Sequence, residues 1–263
     1  MRRPPARANA SIIRCMGRLV YLSPHLDDVV LSCGGLVAQQ VSADEAVTVF
    51  TVCAGDSPVG ELTPFAYELH RRWGGAGSPM AARRAEDLVA CGRLGASVVH
   101  YPLSDAIYRR GPEGEALYPD AASIFGRMHP ADDSRVEELA ASLRQAIPQD
   151  AAIYAPLALG GHVDHRLTRL AAERLGRPLW YYRDLPYDIR DGQPPDDLPV
   201  PPQGETRVPL ASEEIDAWAA AAGEYHSQLT TFWDNFDIMA ADLREYHDGR
   251  GGLRLYRPVA YPA

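Results

Sequence analysis

The chain has 263 residues, is 46% hydrophobic, and sets 26 basic residues against 35 acidic ones for a formal charge of -9. All 26 basic residues are arginine, which excludes a Schiff-base lysine, a phosphate-loop lysine and a lysine general base. The acidic balance leaves no electrostatic footprint for nonspecific binding to nucleic acid or to an acidic membrane.

Met1 to Ala10 is rich in Arg and Pro. The apolar stretch after it is too short and too polar for an export signal. Residues 1–16 therefore read as a disordered leader, ahead of one α/β domain over 17–263. Arg18–Ser23 is a short apolar run ending in a turn and predicts the first strand, followed by a helix over Asp28–Gln40. Ala46–Cys53 is β-branched and apolar throughout, as a buried parallel strand should be. Helices are predicted over Glu61–Trp73 and Pro79–Leu94, the second with Pro near its start and Gly95 after its end. Ser97–Tyr101 is a third strand. Residues 102–130 are irregular and rich in Gly, Pro and Tyr, the mark of a functional loop in a compact domain. Then come a helix over Arg135–Ile147, a strand over Ala151–Ala155, a helix over Leu167–Leu175 and a strand over Leu179–Tyr182. Residues 190–203 hold five prolines and read as an exposed flap. Glu205–Leu210 is a further strand, and Ser212–Trp233 a helix opened by a Ser-Glu-Glu start resembling an N-cap.

Strands alternating with helices predict a Rossmann-like α/β fold, a mostly parallel β-sheet flanked by helices on both faces. Ligands in such folds bind at the carboxyl ends of the strands. No run approaches about 18 consecutive apolar residues, so no transmembrane helix is expected. Cys15, Cys33, Cys53 and Cys91 lack paired spacing and read as reduced, mostly buried thiols of a cytoplasmic protein.

Two motifs follow predicted strands on that ligand-binding edge. They are Ser23-Pro-His25-Leu-Asp27-Asp28 and Gly160-Gly-His162-Val-Asp164-His165. Two or three His/Asp ligands with an open position define a catalytic zinc site. Adjacent carboxylates cannot point the same way, so one of Asp27 and Asp28 can bind metal while the other acts as general base. Either could instead cap the following helix. His162 and His165 are three apart at a helix start and share a face. Asp164 is a natural partner to fix a histidine tautomer.

These residues resemble a known family. Pro24-His25-Leu-Asp27-Asp28 followed by Cys33-Gly34-Gly35, with His162-Val-Asp164-His165 downstream, resembles the PIG-L/LmbE family of zinc-dependent N-acetylglucosamine deacetylases. Softer matches are the Arg83-Arg84-Ala85-Glu86 helix, the Leu103-Ser104-Asp105-Ala106 loop and Tyr225-His226-Ser227-Gln228, so the likeness spans roughly residues 18 to 232. The resemblance implies an LmbE-like fold and a hydrolase that removes the N-acetyl group from an N-acetylglucosamine-type amino sugar or its conjugate. It implies Zn2+ held by His25, Asp28 and His165, with another divalent ion such as Fe2+ also compatible. Asp27 would be the general base, and His162, oriented by Asp164, would stabilise the oxyanion or protonate the leaving amine. Arg83 and Asp105 would hold sugar hydroxyls. Leu26 and Val29 depart from the family's usual residues, but neither is a ligand position. They leave the metal site intact and put the substrate in question.

Two alternatives stay open, a zinc amidase acting on a thiol conjugate and a catalytically silent sugar-binding member of the fold. A bare nucleotide-binding domain is disfavoured, because Gly74-Gly-Ala-Gly77 lacks the third glycine of the fingerprint. His129-Pro-Ala-Asp132-Asp133 echoes the first motif, but Asp132 or Asp133 reads as an N-cap. His70, His100, His226 and His247 read as satisfied surface or core histidines. Tyr108, Tyr118, Tyr187 and Tyr225 are candidates to line a sugar cleft. The expected partner is a small-molecule amino sugar, with no nucleic acid and no membrane. A homo-oligomer stays open.

Overall fold

A computed structural model describes residues 17–74, 77–198 and 204–257. The expected leader over 1–16, Cys15, Gly75-Ala76 and the end of the proline-rich flap lie outside the described residues. The strands are β1 Arg18–Ser23, β2 Ala46–Thr51, β3 Ser97–His100, β4 Ala152–Pro156, β5 Leu179–Tyr182, β6 Glu205–Val208 and β7 Leu253–Tyr256. The helices are α1 Asp28–Ser42, α2 Pro64–Trp73, α3 Pro79–Arg93, α4 Ala121–Ile124, α5 Asp133–Ala146, α6 Val163–Glu173, α7 Ser212–Ala222, α8 His226–Phe232 and α9 Phe236–Arg250. The strands form one sheet in the order β3-β2-β1-β4-β5-β7-β6. All pairings from β3 to β5 are parallel, and only β7 runs against its neighbours.

Strand alternation explains why both faces are covered. Leu19 and Tyr21 of β1, with Val47 and Val49 of β2, pack into one core with α1, α3, α7 and α9. Val20 and Leu22, with Phe50, pack into the opposite core with α5 and α6. Helices α1 and α7 approach closely because α1 carries paired glycines. A Cβ on Gly34 would sit 2.5 Å from Trp218 Cδ1, and the Trp218 indole donates to the Val30 carbonyl at 2.8 Å.

β1 pairs with β2 on one side and β4 on the other. From β1 the chain winds outward to β2 and β3, then returns to β4 and winds the other way. The crevice between the carboxyl ends of β1 and β4 is thus the topological switch point, where doubly wound sheets bind ligands. Both His/Asp motifs open there.

Several predicted bounds move for local reasons. α2 begins at Pro64 rather than Glu61, because Thr63 caps it through the Ala66 N–H and Pro suits the first helical position. α6 begins four residues before Leu167, because the His162 ring accepts the Asp164 N–H and serves as its cap. The helix expected over Ser212–Trp233 is two helices. It breaks at Gly223, a weak helix former, and the turn brings Tyr225 and Ser227 onto α3. Its cap position is Ala211 rather than Ser212, and Glu214 reaches back to the Ala211 N–H at 2.7 Å. α9 and β7 lie beyond the last predicted element. Among the described residues no helix is long and apolar enough to cross a membrane.

Candidate active site

His25 ends the turn after β1, and Asp28 opens α1. The Asp28 carboxylate accepts the His25 backbone N–H at 2.8 Å and lies 3.2 Å from His25 Nδ1. From the far side of the switch point, His165 on the first turn of α6 brings Nε2 to 3.3 Å from the same Asp28 oxygen. His165 Nε2 is buried and has no hydrogen-bond partner. A buried ring nitrogen left without a partner, facing a carboxylate and a second imidazole, is a donor set suited to a divalent metal. A ring nitrogen of His162 also stands within 4.8 Å of those of His25 and His165. Burial alone would raise the Asp28 pKa, but His165 and His25 hold it well below the ordinary carboxylate range. The site therefore presents a charged oxygen at neutral pH.

The far nitrogens of both histidines are held by carboxylates. His165 Nδ1 bonds Asp184 at 2.6 Å, and His25 Nε2 bonds Asp164 at 2.9 Å. Each contact can hold a proton on the outer nitrogen, which would leave the inner nitrogen to a metal. The expectation that Asp164 orients His162 is thereby corrected. Asp164 sits beneath His25 and also accepts the Ala106 N–H at 3.0 Å and a bond from the Arg109 guanidinium. His162 is fixed instead by its own cap bond, in which Nδ1 accepts the Asp164 backbone N–H at 3.2 Å. Its remaining proton sits on Nε2. Burial and the neighbouring His25 keep its pKa well below the ordinary imidazole range, so the ring is a neutral donor.

Asp27 occupies the N-cap position of α1 yet caps nothing. The Val29 N–H goes to Ser23 Oγ at 3.1 Å. The Asp27 carboxylate is thus free to face the cavity, with Arg83 Nη2 at 3.8 Å. Burial and the adjacent Asp28 push its pKa up to about 7, the range of a general base at neutral pH. Arg83 stacks 4.5 Å over the Trp73 ring. Gln228, with its amide turned to satisfy its neighbours, accepts from Trp73 Nε1 at 3.0 Å and Arg83 Nε at 3.3 Å. Glu86 accepts both the Ser227 N–H and its hydroxyl, so two of the softer sequence matches lie against each other. Asp105 caps a short turn through the Ile107 N–H at 3.2 Å and stands 3.8 Å from His25 Nε2.

A cavity of about 230 Å³ covers this floor. His25, Asp27, Asp28, Arg83, Asp105 and His162 line it, while Asp164 and His165 lie fully buried beneath. All eight candidate residues therefore gather in one place. The cap role expected of Asp132 or Asp133 is corrected. Asp132 makes no cap bond and instead accepts from Arg109, Tyr118 and Arg135, each at 2.8 Å. His129 caps that segment through the Ala131 N–H. Of the four tyrosines, Tyr187 lines the cavity. Tyr108, Tyr118 and Tyr225 are buried on His70, Asp132 and Asp87. His100 is held by Asp87, and His247 accepts the Leu210 N–H. Cys33, Cys53 and Cys91 are free and buried.

The sequence reading missed Asp184, Arg109 and Trp73, and gave Gln228, part of a matched segment, no role of its own. Asp184 had a usable signal, because it follows the predicted strand over Leu179–Tyr182 on the edge that carries both motifs. Replacing Asp184 with asparagine should weaken metal binding about 10- to 100-fold, because the His165 ring loses its charged acceptor. A chelator-competition titration reads this directly, and unchanged affinity would remove Asp184 from the site.

A family model described as PIG-L, GlcNAc-PI de-N-acetylase, matches residues 20–175. The chain is 36% identical over 179 residues to a 2'-N-acetylparomamine deacetylase of Streptomyces fradiae, an alignment covering 65% of this chain and 58% of that one. It is 30% identical over 187 residues to a 2'-N-acetylparomamine deacetylase of Niallia circulans, covering 64% and 66%. The matches thus span less than two thirds of either curated relative. The fold is similar to that of the zinc-inhibited form of the teicoplanin deacetylase Orf2. The TM-score is 0.80 with 28% identity, over 92% of this chain and 98% of that one. With a model that matches more than half its length and both His/Asp motifs intact, the chain belongs to the PIG-L family of de-N-acetylases.

Proposed function

We propose that the chain, as one domain over 17–263, is a metal-dependent hydrolase that removes the N-acetyl group from a small-molecule amino sugar in the cytoplasm. The observation that carries this is the buried His165 Nε2, without a hydrogen-bond partner, set against Asp28 and His25 beside an Asp27 carboxylate that makes no cap bond. His25, Asp28 and His165 would hold the ion. Zinc is the first to test, and iron also suits the donor set. Such a metal supplies Lewis-acid polarisation of the amide carbonyl and lowers the pKa of water.

Asp27 takes a proton from the attacking water as its oxygen bonds to the acyl carbon. His162 donates its Nε2–H to the developing oxyanion. A neutral imidazole is a poor source of a full proton, so the proton reaching the leaving nitrogen returns from Asp27 as the C–N bond breaks. Acetate and the free amino sugar leave. Arg83, held by Trp73 and Gln228, and Asp105 orient the ring. The amino-sugar deacetylases among the relatives support this choice of substrate. The test is acetate release from a panel of N-acetyl amino sugars by protein reconstituted with Zn2+ or Fe2+. Release that stops with a chelator and resumes with metal is expected. No release with either ion would overturn the reading.

A further inference from the structure

The cavity walls differ in character from its floor. Helix α2 places Phe65, Leu69 and Trp73 at i, i+4 and i+8, on one face. A surface helix ordinarily turns such a stripe into the core. Here Phe65 and Leu69 are only half-buried and line the cavity. Facing them are Ile124, Phe125 and Phe232. Phe125 is 45% exposed and meets the His162 ring edge-on at 5.3 Å, so the apolar wall begins beside the reacting groups. Above the floor, the described lining offers one charged side chain, Arg72, which is paired with Glu68 at 2.5 Å.

We infer that the substrate is an N-acyl amino sugar bearing an apolar aryl or alkyl group, which lies between α2 and the Phe125 and Phe232 walls. This deepens the deacetylase reading and rests on it. The cavity is smaller than the roughly 300–1,000 Å³ of pockets that enclose a whole drug-sized ligand. A sugar over the floor therefore extends its substituent along these walls. A polyaminated sugar would bring its ammonium groups toward the Arg72 cation, and above the floor the described lining holds no carboxylate of its own to receive them. The apolar group could sit on the anomeric oxygen or be a longer acyl chain. Both present the same chemistry to the walls.

The experiment compares kcat/KM of the metal-loaded protein on N-acetylglucosamine, its 4-nitrophenyl and octyl β-glycosides, N-hexanoylglucosamine and 2'-N-acetylparomamine. A gain of about tenfold or more over N-acetylglucosamine is expected for the glycosides or for the hexanoyl amide, from the apolar area buried. A gain for the glycosides places the group on the anomeric oxygen, and a gain for the amide places it on the acyl chain. Leu69→Asn and, separately, Phe232→Ser should each reduce that preference. Equal rates across the panel, the highest rate on 2'-N-acetylparomamine, or a preference intact in both variants would overturn the inference. Absence of turnover on every compound would instead overturn the deacetylase reading beneath it.

Discussion

Asp27→Asn should lower turnover by about 10²- to 10⁴-fold, the usual contribution of a positioned general base, while leaving metal content unchanged. The proposed ligand set of His25, Asp28 and His165 does not include Asp27, and the amide keeps the shape of the side chain. Stability should barely move, because the carboxylate caps nothing and Ser23 Oγ already serves the Val29 N–H. A merely structural Asp27 predicts the opposite pattern, with a fall in stability and preserved turnover. The pH profile adds a second check. Burial and Asp28 raise the Asp27 pKa to about 7, and the base works only when ionised. The acid limb of kcat/KM should rise with pH through that group. A bound cation favours the ionised form, so the midpoint in the loaded enzyme should fall at or below about pH 7. The asparagine variant should lose this limb. Metal analysis, steady-state kinetics across pH and a thermal melt decide together. Near-normal turnover in metal-loaded Asp27→Asn would remove Asp27 as the base.

The parts of the site that were legible were those written by local rules. β1, β2 and β4 are apolar or β-branched along most of their length because both faces are largely buried, and that pattern separates them from half-exposed strands. Once those strands are placed, the edge rule puts His25, Asp27, Asp28, His162 and His165 at one crevice. Partnerships across the chain were not legible. Asp164 stands two residues from His162 in sequence, so spacing pairs them. Yet its side chain reaches His25, 139 positions away, which only the β1–β4 crossover brings near. Asp132 spells a helix cap and is instead a buried acceptor for side chains from a segment that shows no periodicity. The C-terminal pair fails differently. In α9 Phe236 and Ile238 are exposed while Met239 and Leu243 are buried, so the apolar stripe is blurred. β7 does alternate, with Leu253 and Leu255 inward, a period-two signal that sat unused just past two glycines.

Arg109→Met should destabilise the metal-free protein by about 3–5 kcal/mol, the cost of stranding a buried charge. The Arg109 guanidinium is 3% exposed as a residue and spans two carboxylates with different nitrogens. Nη1 donates to Asp132 at 2.8 Å, Nη2 donates to Asp164, and Nε donates to the Ser104 carbonyl at 3.1 Å. Methionine keeps much of the volume and removes the charge. Asp132 retains Tyr118 and the partly exposed Arg135, so the larger loss falls on Asp164. Burial alone would raise the Asp164 pKa. Arg109, ahead of His25, holds it far below the ordinary carboxylate range. Without that cation Asp164 retains protons more readily and is a weaker acceptor for His25, so metal affinity should drop along with stability. Lysine, absent from this chain, should recover only part of the loss, because a point ammonium cannot reproduce a planar fork. Urea unfolding of the chelated protein measures the first effect and metal competition the second. A loss under about 1 kcal/mol in Arg109→Met, the scale of an exposed ion pair, would mean that this buried network does not hold the floor of the site.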